Sequence, residues 1–230
     1  PTDLWKVKYM FKNSNRVFVL SNSWKKMLKK KFNMHNIDVV ENPSPKMLFR
    51  PKKNKSILFL GALNKRKGYK NLLVSYANIK DDFRDWKIEL CGNGNFKEIE
   101  NLVFDLDIQD NVIIRGWVSG KEKYDILEKA SIFCLPSYSE GLPVSVLEAL
   151  SFKCVILTTP VGGITDYFKS GKDCVLVNPD KVDELTQALK KLMSDKIFRD
   201  RLVENSVKIY ENYFKAELID SKINKLIDEL

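Results

Sequence analysis

The chain has 230 residues, of which 44% are hydrophobic and 30% charged, with 13 Phe, 8 Tyr and 4 Trp. It is long enough to bury a core without disulfides or metals, and too rich in aromatics for a disordered or low-complexity segment. The net charge of +9 is uneven: residues 1–60 hold 14 Lys/Arg against 3 Asp/Glu, residues 61–230 hold 25 against 27.

The first forty residues read as helix–strand–helix–strand, with strands at Arg16–Leu20 and Ile37–Val40. The helix over Ser23–Phe32 places Trp24, Met27, Leu28 and Phe32 on one face. Lys25, Lys26, Lys29 and Lys30 take the remainder, so the apolar side is expected to face a core and the lysine side solvent or anionic headgroups. Asn42-Pro43-Ser44-Pro45, Phe49-Arg50-Pro51 and the polar Lys52–Lys55 mark residues 41–55 as a linker. Strands follow at Ser56–Leu60, Trp86–Cys91, Val112–Arg115, Ser131–Leu135, Val155–Thr158 and Cys174–Val177. Helical patterns separate them over Tyr69–Ile79, Lys97–Leu106, Lys121–Ala130 and Pro143–Ser151. Beyond Val177 the pattern is helical throughout: Val182–Met193, Ile197–Tyr210 and Ala216–Leu230.

Short, continuously apolar strands alternating with helices predict an α/β fold, a doubly wound parallel sheet of Rossmann-like type. Residues 1–40 are too few for a sheet domain alone and read as the end of another domain. The chain starts at Pro1 rather than Met, so it reads as a piece of a longer one. No run approaches the roughly eighteen apolar residues of a membrane span, and there is no signal-peptide pattern at the start. Cys91, Cys134, Cys154 and Cys174 lie in or beside apolar runs, at spacings unlike a zinc set, and are expected to be buried reduced thiols of a cytosolic protein. The single His35 reads as a surface or structural residue.

Ligands of open α/β sheets bind beyond the carboxyl ends of the strands, and three strand-end loops stand out. Gly61–Gly68 brackets Lys65, Arg66 and Lys67 with glycines; it suits a phosphate, and by itself it suits a solvated basic turn better. It is not a Walker loop, there is no G-x-G-x-x-G, and Gly92-Asn93-Gly94 reads as a turn fragment. The loop Pro136–Ala149 places Glu140 before a helix and Glu148 inside it, with Pro143 expected in its first turn. Eight residues at ~1.5 Å rise suggest roughly 12 Å between the acids, the reach of a diphosphate with a sugar at one end and a ribose at the other. Thr158–Gly163 ends in tandem glycine, which allows close backbone approach or simply a turn.

These loops in this order resemble a known family. Glu140 and Glu148, with seven residues between them, resemble the E-x7-E motif of retaining glycosyltransferases of family 4 (glycosyl transferases group 1), which have the GT-B fold. The likeness extends over some 170 residues through FLGALNKRKG, ELCGNG, NVIIRGWV, ASIFCLPSYSEGLPVSVLEAL and VGGITDYFKSGKDCVLVNP. It implies that residues 1–45 end an acceptor-side N-terminal domain, 46–212 form the donor-binding domain, and 213–230 form a helix returning to the first. The implied activity moves a sugar from a nucleotide-diphosphate donor, UDP favoured over GDP or ADP, to a glycan or lipid-linked acceptor in cell-surface polysaccharide synthesis. Glu140 would then lie beside the transferred sugar, with Lys67 and Arg66 on the leaving diphosphate. Gly61, Gly141, Leu142 and Val144 would sit near the same phosphates, Glu148 would take the ribose hydroxyls, and Trp117 and Val118 the base.

No metal-ligand cluster is read in the sequence, so metal-independent transfer is expected, in the cytoplasm or at the inner face of the membrane. The chain departs from the family where Ala62 replaces an Arg, where Leu142-Pro143 replaces an aromatic-Gly pair, and where Thr165-Asp166 replaces Pro-Glu. The alternative is a fragment that binds nucleotide without catalysis. A nucleic-acid binder rests on net charge alone, with no basic-aromatic platform or recognition helix to support it.

Overall fold

The computed structural model describes residues 4–46 and 53–229. A small α/β unit comes first: α1 (Leu4–Lys12), β1 (Val17–Val19), α2 (Asn22–Phe32) and β2 (Ile37–Val39). Its two strands pair in parallel, Val17 opposite Ile37 and Val19 opposite Val39. Ser21 caps α2 by accepting from the Trp24 N–H, and Asn33, at φ 53°, ends it in the left-handed conformation.

The main sheet contains β3 (Ser56–Leu60), β4 (Lys87–Cys91), β5 (Val112–Gly116), β6 (Ile132–Leu135), β7 (Val155–Thr158) and β8 (Val175–Leu176). Every pairing is parallel, in the spatial order β5-β4-β3-β6-β7-β8. This is a doubly wound, Rossmann-like α/β sheet whose strand order reverses between β3 and β6. Around it lie α3 (Tyr69–Ala77), α4 (Phe96–Asp105), α5 (Gly120–Lys129), α6 (Val144–Ser151) and the short α7 (Ile164–Tyr167). Then follow α8 (Val182–Ser194), α9 (Lys196–Ile209), one π-helical turn at Tyr210–Phe214 and α10 (Ala216–Asp228). Both faces of the sheet are covered, so Ile57, Phe59, Ile88, Leu90, Phe133 and Ile156 are fully buried despite lying on both sides of their strands.

The expected elements match to within one or two residues, apart from three corrections. The last strand is two residues rather than Cys174–Val177, because Cys174 bridges back to Ser170. Phe49-Arg50-Pro51 and Lys52 of the expected linker lie outside the described residues. Among the described residues of that segment Glu41 and Ser44 are buried and the Lys53 ammonium donates to the carbonyls of Leu127 and Phe152, while Pro43, Lys46, Asn54 and Lys55 are exposed.

The apolar face of α2 is the third correction. Leu28 is buried and Phe32 partly so, while Trp24 and Met27 remain 38% and 36% exposed. They point at the turn around Gly162, and with Ser23 they line a cavity of about 200 Å³. Lys26, Lys29 and Lys30 are exposed, whereas Lys25 approaches Asp38 at 4.0 Å.

A buried junction ties the two units together. Glu41 accepts from the Tyr167 hydroxyl at 2.9 Å and from Lys222 of α10 at 2.7 Å. Burial, then the Glu41 charge, push the Tyr167 phenol far up from its usual value, so it stays a neutral donor. Asp166 accepts from the backbone and hydroxyl of Ser23, and Ser44 donates to Leu147 and Phe214 carbonyls. Arg16 reaches the carbonyl of Leu226 and the carboxylate of Glu229, so α10 lies back against the first unit. Among the described residues no helix is long and apolar enough to cross a membrane.

Candidate functional site

Three loops meet at the carboxyl ends of β3, β6 and β7, on the side where the strand order reverses. The first is shaped by Asn64, whose side chain accepts from the Lys67 N–H and caps the single turn Lys65–Lys67. Gly68 follows at φ 75°, and a Cβ there would stand 2.1 Å from the Pro136 carbonyl oxygen. Only glycine allows that approach, so the first loop seats directly on the second. Tyr138 N–H donates to the Arg66 carbonyl and the Arg66 guanidinium to the Ser139 carbonyl, both at 2.8 Å.

This docking assembles one charged end. Glu140 is 8% exposed in its side chain and accepts from Lys67 at 2.7 Å and Arg66 at 3.1 Å. A carboxylate so desolvated requires such partners. Lys67, 13% exposed, faces inward with its stem against Gly61, while Arg66 is half exposed at the edge. The third loop locks the second from below. Gly163 N–H donates to the Gly141 carbonyl, and Gly162, at φ 61°, lies so close that a Cβ would come within 2.2 Å of the Glu140 and Gly141 oxygens.

The other end is built on α6. Glu148, 12% exposed, accepts at Oε1 from Lys123 of α5 at 2.6 Å. Between the two acids lies the helix N-terminus, where Pro143 is the capping residue rather than part of the first turn. Its φ of −66° and ψ of 122° are extended, and α6 begins at Val144. Glu140 therefore stands in the loop, and the helical-rise spacing of the two acids does not apply. Pro143 accepts from the N–H groups of Val146 and Leu147. Those of Val144 and Ser145, the first two helical residues, have no intrahelical partner and suit an anion.

A cleft of about 450 Å³ runs between these ends. Gly61, Lys67, Trp117, Val118, Glu140, Leu142, Val144 and Glu148 line it, so eight of the ten residues expected from sequence come together. Arg66 and Gly141 are not in the lining: Arg66 pairs with Glu140 at the edge, and Gly141 packs against Gly162, Gly163 and Trp24. Lys65 is exposed and absent from the lining, which leaves Lys67 as the cation of the triplet that faces the cleft. Trp117 is 71% exposed on the rim, and Val118 is buried beneath it.

Lys123, Ser119, Ser145 and Gly92 also line the cleft and were not singled out from the sequence. Gly92 is more than a turn residue. At φ 147° it packs so that a Cβ would fall 1.9 Å from the Gly61 carbonyl oxygen, and its N–H donates to Gly116. The signal for Gly92 was its place directly after a strand; for Lys123 there was none, since a lysine on a helix is ordinarily solvated.

The four cysteines are free and buried, and burial raises each thiol, Cys91 to about 12. They are poor nucleophiles for that reason. A larger groove, of about 710 Å³, is lined by Lys8, Phe11, Lys30, Lys31, His35 and their neighbours on the first unit; it contains no carboxylate. Among the described residues no group of three or more His, Cys, Asp or Glu is placed to hold a metal ion.

The profile of the family described as glycosyl transferases group 1 matches residues 41–209, which includes all three loops and both acids. The chain belongs to that family. An uncharacterized glycosyltransferase of Haemophilus influenzae is 28% identical over 211 residues, covering 90% of this chain and 59% of that protein. A Campylobacter jejuni protein, named as an α-1,4-N-acetyl-D-galactosaminyltransferase acting on an undecaprenol-diphosphate-linked saccharide, is 30% identical over 181 residues. The match covers 77% of this chain and 49% of that protein. The family member described here thus spans about half to three-fifths of the length of these curated relatives.

Among solved structures, sucrose-phosphate synthase from Thermosynechococcus elongatus superposes with a TM-score of 0.87 at 19% identity, over 98% of this chain and 61% of that one. Anabaena HepE, solved with UDP and glucose, superposes with a TM-score of 0.82 at 15% identity, over 96% and 65%. These likenesses establish the glycosyltransferase fold of this family member, a Rossmann-like sheet covered by helices.

Proposed function

We propose that the chain is the donor-binding part of a retaining glycosyltransferase of family 4, together with the end of its acceptor-side domain. The observation that carries this is the cleft with a carboxylate–cation cluster at each end and a helix N-terminus between them. Residues 46–212 bind a nucleotide sugar, UDP-linked in preference to GDP- or ADP-linked. Similarly folded proteins solved with UDP support that preference.

Transfer breaks the bond between the sugar's anomeric carbon and the diphosphate oxygen, and the electron pair leaves with the diphosphate. An acceptor hydroxyl oxygen bonds that carbon while its proton passes to the departing diphosphate. Negative charge grows there, so donors that strengthen in the transition state are required. Lys67, Arg66, the amides of Leu142, Val144 and Ser145, and the α6 dipole are this chain's candidates. Glu140, held by Lys67 and Arg66, contacts the sugar hydroxyls and supports the anomeric centre. Glu148 takes the ribose hydroxyls, and Trp117 and Val118 flank the base. These roles are proposed to proceed without a metal.

The acceptor is a glycan or lipid-linked saccharide of cell-surface polysaccharide synthesis. The Campylobacter jejuni relative's name supports the lipid-linked saccharide, and a Bacillus subtilis relative's name, which refers to teichuronic acid biosynthesis, supports the polysaccharide. The enzyme then works in the cytoplasm, with the exposed Lys26, Lys29 and Lys30, and Lys25 beside them, facing anionic lipid. Equal co-sedimentation with neutral and anionic vesicles at low salt would remove the lipid part. Because the chain spans only part of its relatives' length, nucleotide binding without transfer is the second reading.

The test compares this chain with a longer one carrying the remaining family domain. Glu140→Gln abolishes transfer and leaves nucleotide affinity nearly intact, whereas Glu148→Ala weakens nucleotide binding. Unchanged behaviour of both variants, or loss of folding in both, refutes the assignment. A thermal-shift screen with UDP, GDP and ADP identifies the base, since a bound nucleotide stabilises the folded chain.

A further inference from the structure

Lys123 is an unusual cation for its position. It stands at the end of the first turn of α5, where the helix dipole disfavours positive charge and a solvated lysine gains nothing. Its side chain is only 22% exposed and lies in the wall of the cleft rather than in solvent. The ammonium is 5.5 Å from the centroid of the Tyr124 ring, which packs on Phe152 at 5.4 Å, so the neighbouring surface is firm.

Among the described residues the one carboxylate it meets is Glu148, and it meets one oxygen of it. Oε1 accepts from Nζ at 2.6 Å, and no described residue donates to Oε2. A carboxylate at the end of a flexible side chain can rotate; a short charge-assisted hydrogen bond to one oxygen fixes its plane. The remaining oxygen and lone pairs of Glu148, a residue that lines the cleft, are then held in a set direction. That is the requirement for accepting two hydrogen bonds from a vicinal diol, whose hydroxyls have fixed spacing.

We propose that Lys123 is a positioning residue for the nucleotide's ribose, acting through Glu148. The proposal rests on Glu148 being the ribose acceptor. Lys123 presents the carboxylate oriented, so that discrimination between ribose and deoxyribose depends on a residue that touches neither hydroxyl.

The experiment measures the affinity of the chain for whichever of UDP, GDP and ADP stabilises it most, and for the 2′-deoxy form of the same nucleotide. The wild type is expected to prefer the ribonucleotide by about tenfold or more, the value of one good hydrogen bond to a charged group. Lys123→Met lowers that preference at least threefold and leaves the 2′-deoxy affinity within about twofold of wild type. It melts cooperatively but at a lower temperature, because Glu148, 12% exposed, loses its partner; affinities are therefore measured below the variant's own transition. Lys123→Arg, which keeps the charge, restores the preference. Lys123→Gln replaces Lys123→Met if the latter does not melt cooperatively.

A preference unchanged in Lys123→Met overturns the proposal. Equal weakening of both nucleotide forms also overturns it, because Lys123 would then touch the phosphates or the base directly. If the wild type prefers neither sugar, the role of Glu148 is wrong and the proposal falls with it. If none of the three nucleotides stabilises the wild type, the donor-binding reading itself fails. These two last outcomes are visible in the wild type, before any variant is made.

Discussion

Gly162→Ala tests whether the site is assembled by loop interlock. At φ 61° an alanine pays the left-handed backbone cost of about 1 kcal/mol. Its Cβ would also stand 2.2 Å from two carbonyl oxygens, where ordinary contact begins at 3.4 Å, so the loops must part by about 1.2 Å. Overpacking of that kind adds about 1–3 kcal/mol. The sum, about 2–4 kcal/mol, corresponds to a melting-temperature loss of roughly 4–16 °C for a chain of this size. Gly171 provides the control: its φ is 77°, but nothing lies within 4 Å of a Cβ there. Gly171→Ala therefore loses only the backbone share, roughly 2–4 °C. The parted oxygens belong to Glu140 and Gly141, so Gly162→Ala also weakens nucleotide binding, whereas Gly171→Ala does not. Thermal melts and nucleotide titrations of both variants decide the matter. Equal melting losses, or unaltered affinity in Gly162→Ala, refute the interlock argument.

Three further outcomes are expected. Lys67→Met leaves the buried Glu140 with the half-exposed Arg66 alone and lowers stability by about 1–3 kcal/mol; adding Glu140→Gln recovers at least half, read as coupling in a double-mutant denaturation cycle. Tyr167→Phe removes the hydroxyl that binds Glu41 and costs about 1.5–3 kcal/mol, with faster amide exchange at Ser44 and Ile219 beside the junction; unchanged exchange there refutes the tie. The third concerns pH. Asp195 accepts from Lys191 and then from the Phe198 N–H, which together hold its carboxyl below its ordinary 3.8. A lowered folded value means stability present above 3.8 and lost as pH falls through the folded value. The melting advantage of wild type over Asp195→Asn is thus full at neutral pH and shrinks in acid; a pH-independent difference contradicts this.

Much of the molecule was legible because local rules and burial agree. Strands covered on both faces must be continuously apolar, so runs such as SILFL and IFCL announced a parallel sheet, and the glycine-flanked loops announced where its ligand end lay. The family resemblance rested on the same residues, with Glu140 and Glu148 fixed by a spacing visible in one dimension. What failed was whatever depended on a neighbour distant in sequence. The apolar face of α2 promised burial, yet Trp24 and Met27 stay half exposed, because a helix face states what it can bury and not what covers it. The polar Lys53 and Glu41 looked like linker, but each found partners distant in sequence, carbonyls for one and Tyr167 with Lys222 for the other.

The sequence by itself determined the parallel sheet, the three ligand-end loops and the two acids, since those follow from periodicity, glycine and spacing along the chain. Tertiary structure alone decided which cation serves which acid. Lys65, Arg66 and Lys67 are equivalent in sequence, yet the capped turn at Asn64 sends Lys67 into the cleft and Lys65 into solvent. Lys123 lies 25 residues from Glu148, and only the packing of α5 beside α6 makes them a pair. Charge partnership is a property of through-space distance, falling steeply over a few ångströms, and the chain order does not encode it.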